Sequence, residues 1–202
     1  KEYNLMTEIR TKKPYNNLPK SENAHVENLL KRDFALPLPD HVYSTDMTYL
    51  FYGKSERAYL SATKDLATNE IVSYRLMRKP AISNFTDEFK SLLSKLTPQT
   101  RGSLIIHSDQ GFQYTHESFR NILKEYGVTQ SMSRRCNCYD NAPIESFFGH
   151  FKDLIDLKSC MTFEEVRKEI DSSMYYYNNE RPQVGLNKKP PAIYRGLLSD
   201  LF

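Results

Sequence analysis

The chain has 202 residues, enough for one domain with a buried core or one domain with extensions, and too few for several full catalytic modules. Apolar residues make up 39% and charged residues 26%, with 7 Gly and 10 Pro, which excludes collagen-like and wholly disordered chains. A formal net charge of +3 gives no global field, so a polyanionic partner would have to be held by local basic patches.

No apolar run approaches the roughly 18 residues of a membrane span, and Lys1 opens the chain without a signal-like hydrophobic region. The expectation is a soluble intracellular protein, and a fragment, since a natural start would show Met. The 3 Cys, two of them in Cys136-Asn137-Cys138, suit neither a disulfide framework nor a zinc knuckle and read as reduced thiols.

Residues 1–40 read as a basic, proline-punctuated linker or arm, with Lys12, Lys13, Pro14, Pro19 and Lys20 ahead of Pro37 and Pro39. Val26, Leu29, Leu30 and Phe34 predict a short helix from about Glu22 to Asp33. From His41 the pattern changes to strands. Val42 to Tyr52 alternates, with Ser44, Asp46, Thr48 and Leu50 on one face and Tyr43, Thr45, Met47, Tyr49 and Phe51 on the other. Arg57 to Lys64 and Glu70 to Arg78, divided by a turn at Asp65 to Asn69, complete an antiparallel meander.

After Pro80 a helical stripe of Phe85, Phe89, Leu92, Leu93 and Leu96 ends before Pro98. Ser103 to His107 reads as a buried central strand, Thr115 to Tyr126 as a helix stopped by Gly127, and Val128 to Met132 as a fifth strand. Ile144, Phe147, Phe148, Phe151, Leu154 and Ile155 predict a helix from Pro143 through Lys158. Thr162 and Glu165 form a capping box for a helix whose buried stripe is Phe163, Val166, Ile170, Met174 and Tyr177. The tail, with Pro182, Pro190 and Pro191, is expected to be mostly extended. The order implies an α/β fold: a mixed five-stranded sheet flanked by helices, with a parallel strand beside the meander.

Most of the 25 acidic residues fit a solvated surface. Asp46, Asp109 and Glu145 break the pattern: Asp46 lies within an apolar and aromatic strand, Asp109 directly follows a buried run, and Glu145 sits in the first turn of an amphipathic helix. If the first strand neighbours the Leu104 strand, Asp46 and Asp109 converge near one end of the sheet. Converging carboxylates stay ionised together only when a cation neutralises them, and hard oxygen ligands select Mg²⁺ or Mn²⁺. Two such ions about 4 Å apart suit phosphodiester chemistry.

Ser44-Thr45-Asp46-Met47-Thr48-Tyr49, His107-Ser108-Asp109-Gln110-Gly111-Phe112-Gln113-Tyr114 and Asp140-Asn141-Ala142-Pro143-Ile144-Glu145-Ser146-Phe147-Phe148 resemble the three signature blocks of bacterial insertion-sequence transposases. More narrowly, the resemblance is to the copy-out, paste-in family with a retroviral-integrase-like (DDE) core. The 35 residues between Asp109 and Glu145 match the spacing after which the class is called. Tyr176-Tyr177-Asn178-Asn179-Glu180-Arg181-Pro182, with Leu186 and Pro190 or Pro191, resembles the family's C-terminal signature. The likeness covers roughly Leu29 to Tyr194. Tyr43 stands where Trp is usual, Cys136 where Gly is common and Gln183 where His is common.

The resemblance implies an RNase H-like fold, a metal-binding catalytic triad of Asp46, Asp109 and Glu145, and Mg²⁺ or Mn²⁺ as the cofactor, with two ions expected. It divides the chain into the arm (1–40), an integrase-like core (41–180) and a C-terminal extension (181–202). Lys152, seven residues after Glu145, matches the family's basic position two turns on, where it could meet phosphate. Arg134 and Arg135, in a polar loop before the Glu145 helix, are further candidates for DNA contact, as are Arg181 and Lys188.

The implied activity is DNA cleavage and strand transfer at insertion-sequence ends, on terminal inverted repeats and target DNA, by a homo-oligomer on paired ends in the bacterial cytoplasm, at the nucleoid. A helix-turn-helix region N-terminal to this stretch would read the ends, and the stretch itself should bind DNA with weak sequence preference and strong salt dependence. The alternatives are a hydrolytic nuclease of the same fold and an inactive DNA-binding derivative. His107-Ser108-Asp109 is not a hydrolase triad, because three adjacent residues at a strand end cannot face one another. His107 reads as a packing or supporting residue and Asp65 as structural, while Asp140 and Asn141 are candidates to support the site.

Overall fold

The computed structural model describes residues 26–34, 38–134 and 138–200. Three antiparallel strands come first, β1 (Val42–Tyr52), β2 (Glu56–Asp65) and β3 (Ile71–Met77). Helices α1 (Ile82–Ser94) and α2 (Pro98–Ser103) lead to β4 (Ile105–Ser108), which lies parallel beside β1. After α3 (Phe112–Thr115) and α4 (Glu117–Tyr126), β5 (Thr129–Met132) adds in parallel outside β4. The sheet order is β3-β2-β1-β4-β5. A 3₁₀ turn at Cys138–Asn141 leads into α5 (Ala142–Leu154), followed by α6 (Phe163–Asn179), a second 3₁₀ turn at Val184–Leu186 and α7 (Pro191–Ser199).

Alternation along β1 gives each face its own core. Leu50 and Tyr52, with Ala58, Leu60 and Ala62 of β2, pack beneath Ile144, Phe147, Phe148 and Phe151 of α5 and Val166, Ile170, Met174 and Tyr177 of α6. Tyr43 and Ile106 on the opposite face meet Phe85, Phe89, Leu92 and Leu93 of α1 and Phe119, Ile122 and Leu123 of α4. Within that second core Phe85, Phe89, Tyr114 and Phe119 stand with ring centroids 4.9–5.7 Å apart. Each fully buried ring of this kind contributes about 1.5–3 kcal/mol by removal from water. Gly127 ends α4 at φ 71°, a left-handed cap that a side chain would strain. The Thr162–Glu165 capping box opens α6.

Two expectations need correction. The tail is not mostly extended: Pro191 occupies the first turn of α7, where its missing N–H costs nothing. Arg195 then anchors α7 to the core by bonding Asp40 (2.8 Å), Asp65 (2.7 Å) and Glu70. The predicted helix over Glu22 to Asp33 is also absent where the structure describes it, from Val26 onward; residues 22–25 lie outside the described residues. Lys31 and Arg32 have φ of 49° and 70°, incompatible with a right-handed helix. Distant partners hold that segment instead, with the Leu29 N–H donating to Ser131 Oγ and the Met132 N–H to the Glu27 carbonyl. Helices α2 and α3 and both 3₁₀ turns lie where no element was expected, and α5 stops at Leu154, short of Lys158. No helix among the described residues is long and apolar enough to cross a membrane.

Glu88 of α1 is buried in the second layer, with the Ser73 hydroxyl donating to its Oε1 at 3.2 Å. Burial pushes its carboxyl up to about 7. Because the folded-state value lies above the unfolded one, its favourable contribution is complete below about 4.5 and is lost as pH rises through about 7, a change on the order of 3 kcal/mol. Glu88→Gln removes the titration while keeping an acceptor for Ser73. Urea unfolding at pH 5 and pH 8 is expected to show the variant gaining on the wild type at the higher pH; an unchanged difference would refute this.

Candidate active site

The β1–β4 register pairs Thr45 with Ser108, so Asp46 and Asp109 are the next residues along two adjacent parallel strands. Asp46 continues β1, whereas Asp109 leaves β4 in a turn closed by the Gly111 N–H, which donates to Asp109 Oδ1 at 2.8 Å. A Cβ on Gly111 would stand 2.8 Å from Gln113 Nε2 and 2.9 Å from that carboxylate oxygen, so a larger residue here would have to displace both side chains. Glu145 comes from the first turn of α5, which packs on the face of β1 that carries Asp46.

The electrostatics show that the acids share one neighbourhood. Burial first, then repulsion from Asp109 and Glu145, pushes Asp46 up to about 7, while the Met47 N–H and the Lys152 ammonium oppose the shift. Asp109 is raised by burial, and Glu145 by burial and then by Asp109. Yet no three His, Cys, Asp or Glu side chains among the described residues are gathered tightly enough to hold one ion. Asp46 spends Oδ1 on the Met47 N–H at 2.7 Å, and Glu145 is exposed. The donor set of hard oxygens under mutual repulsion still fits a divalent cation chemically.

A buried frame positions these acids. The Leu29 N–H donates to Ser131 Oγ at 3.0 Å, and Ser131 lies 2.9 Å from His107 Nδ1; His107 Nε2 lies 2.8 Å from the Asp140 carbonyl. A carbonyl only accepts, which assigns the proton to Nε2 and makes Nδ1 the acceptor from Ser131. Burial lowers the His107 pKa, consistent with this neutral ring. The Asp140 side chain, fully buried, bonds Arg134 and Arg32, each at 2.9 Å, and Asn28 at 2.9 Å. The Arg134 guanidinium, helped by Arg32 against the effect of burial, holds the Asp140 carboxyl well below the usual carboxylate range. Next to it, Asn141 Oδ1 accepts from the Ser44 hydroxyl at 2.8 Å, tying the start of α5 to β1. Asp140 and Asn141 thus brace the site, while Asp65, buried against Arg195, belongs to the tail anchor.

Lys152 stands on the last turn of α5, with Nζ 2.6 Å from Thr48 Oγ1, and its charge reaches Asp46. Arg134 is exposed but commits its guanidinium to Asp140. Arg135 and Cys136 lie outside the described residues. Arg181 and Lys188 belong to the segment after α6, Arg181 with its guanidinium 5.9 Å from the Tyr177 ring centroid and Lys188 exposed. Sequence reasoning missed Arg32 as a partner of the site's frame; its place in a segment read as linker gave no signal.

A mixed sheet of this order with helices on both faces is an RNase H-like fold. The integrase core domain family matches residues 37–138, and a second integrase core domain description matches residues 126–191. An uncharacterized transposase-like protein of Haemophilus influenzae is 41% identical over 176 residues, covering 86% of this chain and 80% of that one. The putative transposase InsK of insertion sequence IS150 from Escherichia coli is 37% identical over 169 residues, and the match covers 83% of this chain but 59% of InsK. Among solved structures, the HTLV-2 integrase catalytic core domain in complex with magnesium superposes with a TM-score of 0.61 at 18% identity, covering 78% of this chain and 97% of that one. The chain belongs to the integrase core domain family, among the bacterial insertion-sequence transposases.

Proposed function

We propose that residues 41–180 form the catalytic core of a transposase that cuts and joins DNA strands by transesterification, with Asp46, Asp109 and Glu145 as its reactive-centre acids. The observation carrying this reading is the placement of Asp46 and Asp109 one step beyond the Thr45–Ser108 pair, with Glu145 near enough to raise the Asp46 pKa. Asp46 and Asp109 would hold Mg²⁺ or Mn²⁺, two ions in the full arrangement, and Glu145 would complete the shell. Bound ions supply neutralisation of the acids and stabilisation of charge developing on the phosphate. Lys152 meets a phosphate oxygen from two turns along α5. In the first step water attacks phosphorus and the bond to the departing 3′ oxygen breaks, leaving a 3′-hydroxyl. In the second, that hydroxyl attacks the phosphorus of another phosphodiester, a new 3′-oxygen–phosphorus bond forms as the bond to that strand's own 3′ oxygen breaks, and the departing oxygen leaves as a new 3′-hydroxyl. No protein nucleophile is required. Paired element ends would be bridged by more than one copy of the chain.

The test is a strand-transfer assay with labelled end oligonucleotides in Mg²⁺, Mn²⁺ or chelator. Joined product dependent on the metal supports the reading; cleavage without joining, given a 3′-hydroxyl donor, favours a hydrolytic nuclease. Ion binding has its own signature. Below about 7 Asp46 holds a proton that an incoming cation must displace. The rise in thermal midpoint on adding Mn²⁺ in place of chelator should therefore be larger at pH 8 than at pH 6. Asp46→Asn should lose most of that rise, and an equal rise in the variant would contradict the ligand assignment.

A further inference from the structure

β4 ends at Ser108, so its ladder with β1 covers only Val42 to Thr45, whereas β1 runs on to Tyr52 paired with β2. On this extension Tyr49 and Phe51 point to one side, 42% and 48% exposed, with ring centroids 5.3 Å apart. Arg57 of β2, directly opposite Phe51, places its guanidinium carbon 5.4 Å from both centroids. Lys152 Nζ lies 5.6 Å from the Tyr49 centroid while its charge reaches Asp46, so one ammonium joins the aromatic pair to the acidic centre. A cleft of about 830 Å³ opens here between Tyr49–Ser55 and Lys152–Lys158.

Exposed aromatic rings beside cations are the components that hold unpaired bases, since every base offers a π-face and its phosphate seeks positive charge. The cleft wall carries charges of both signs. Lys54, Lys152 and Lys158 attract the backbone; Asp153 and Asp156 repel phosphate but accept hydrogen bonds from base amino groups.

We propose that Tyr49 and Phe51, flanked by Arg57 and Lys152, form a stacking platform for an unpaired base of the DNA strand next to the phosphate under attack. The inference rests on the transposase reading above and adds to it a preference for frayed over fully paired DNA at this side of the centre. A nucleotide held there would draw the strand across the open stretch of β1 toward Asp46 and Asp109.

The probes are two duplexes of about 30 base pairs, one fully paired and one with about five unpaired nucleotides at an end containing 2-aminopurine. With the 202-residue chain, the frayed duplex should bind about tenfold tighter, and 2-aminopurine fluorescence should fall on binding. Tyr49→Ala and Phe51→Ala should each remove most of that preference and of the quenching, leaving affinity for the paired duplex within about twofold. Phe51→Tyr, which keeps a ring, should retain both. Circular dichroism and thermal midpoint check that the variants fold. Equal wild-type affinity for the two duplexes overturns the platform while leaving the transposase reading standing; no binding to either overturns both. Loss of a protomer contact by mass, with unchanged preference for frayed DNA, would assign the surface to a second copy of the chain and also overturn the proposal.

Discussion

Asp109→Asn is expected to lower end cleavage and strand transfer by roughly 10³-fold while leaving the protein at least as stable as the wild type. The asparagine keeps an Oδ1 that can accept the Gly111 N–H, so the turn after β4 survives. It also removes a negative charge that raises the pKa values of Asp46 and Glu145. In chelator at pH 8 the thermal midpoint should hold or rise, since a repulsion has been deleted. A fold defect would lower activity and midpoint together; a reactive-centre acid separates them. Gel assays of labelled ends alongside thermal melts make the distinction, and persistent cleavage by the variant would remove Asp109 from the reaction.

Arg195→Ala should produce the largest loss of stability, about 3 kcal/mol. Arg195 bonds three carboxylates, and the side chain of one of them, Asp65, is fully buried. Without the guanidinium, Asp65 retains N–H donors from Asp40, Ala67 and Thr68 but loses its countercharge. Burial already raises the Asp65 pKa despite Arg195, and the substitution removes the positive charge that holds it down. Its folded-state value then rises further, so the deficit should grow as pH increases from 5 to 8. Urea unfolding at both values measures this. Adding Asp65→Asn should recover part of the loss, and strict additivity of the two substitutions would show that the pair is not coupled.

The sequence made the sheet legible because local pattern and final packing agree. β1 needs its alternation to feed two cores, so Leu50 and Tyr52 separate from Tyr43 and Met47 both in the pattern and in the fold. Asp46 and Asp109 could be paired in advance because they fall at matching points on strands that proved to be neighbours. The errors arise where distant contacts govern. Residues 27–32 look helical in isolation, but Leu29, Asn28 and Arg32 find partners 102, 112 and 108 residues away. α7 was hidden by prolines that read as breakers, although Pro191 opens the helix and Arg195 fastens it. Asp140 was ambiguous because its role depends on Arg32 as well as on its neighbour Arg134.

The brace at Asp140 changes what the interval from Asp109 to Glu145 means for tolerance to length variation. Residues inserted between β5 and Asp140 leave α5 in place, because Asp140 and Asn141 fasten it to Arg32, Arg134 and Ser44 independently of the count. A residue inserted between Asn141 and Glu145 has no such outlet: it would swing the glutamate about 100° around the helix axis, away from its partners. The geometry is therefore set by the few positions after the brace, and the longer interval is only the path by which the backbone reaches it.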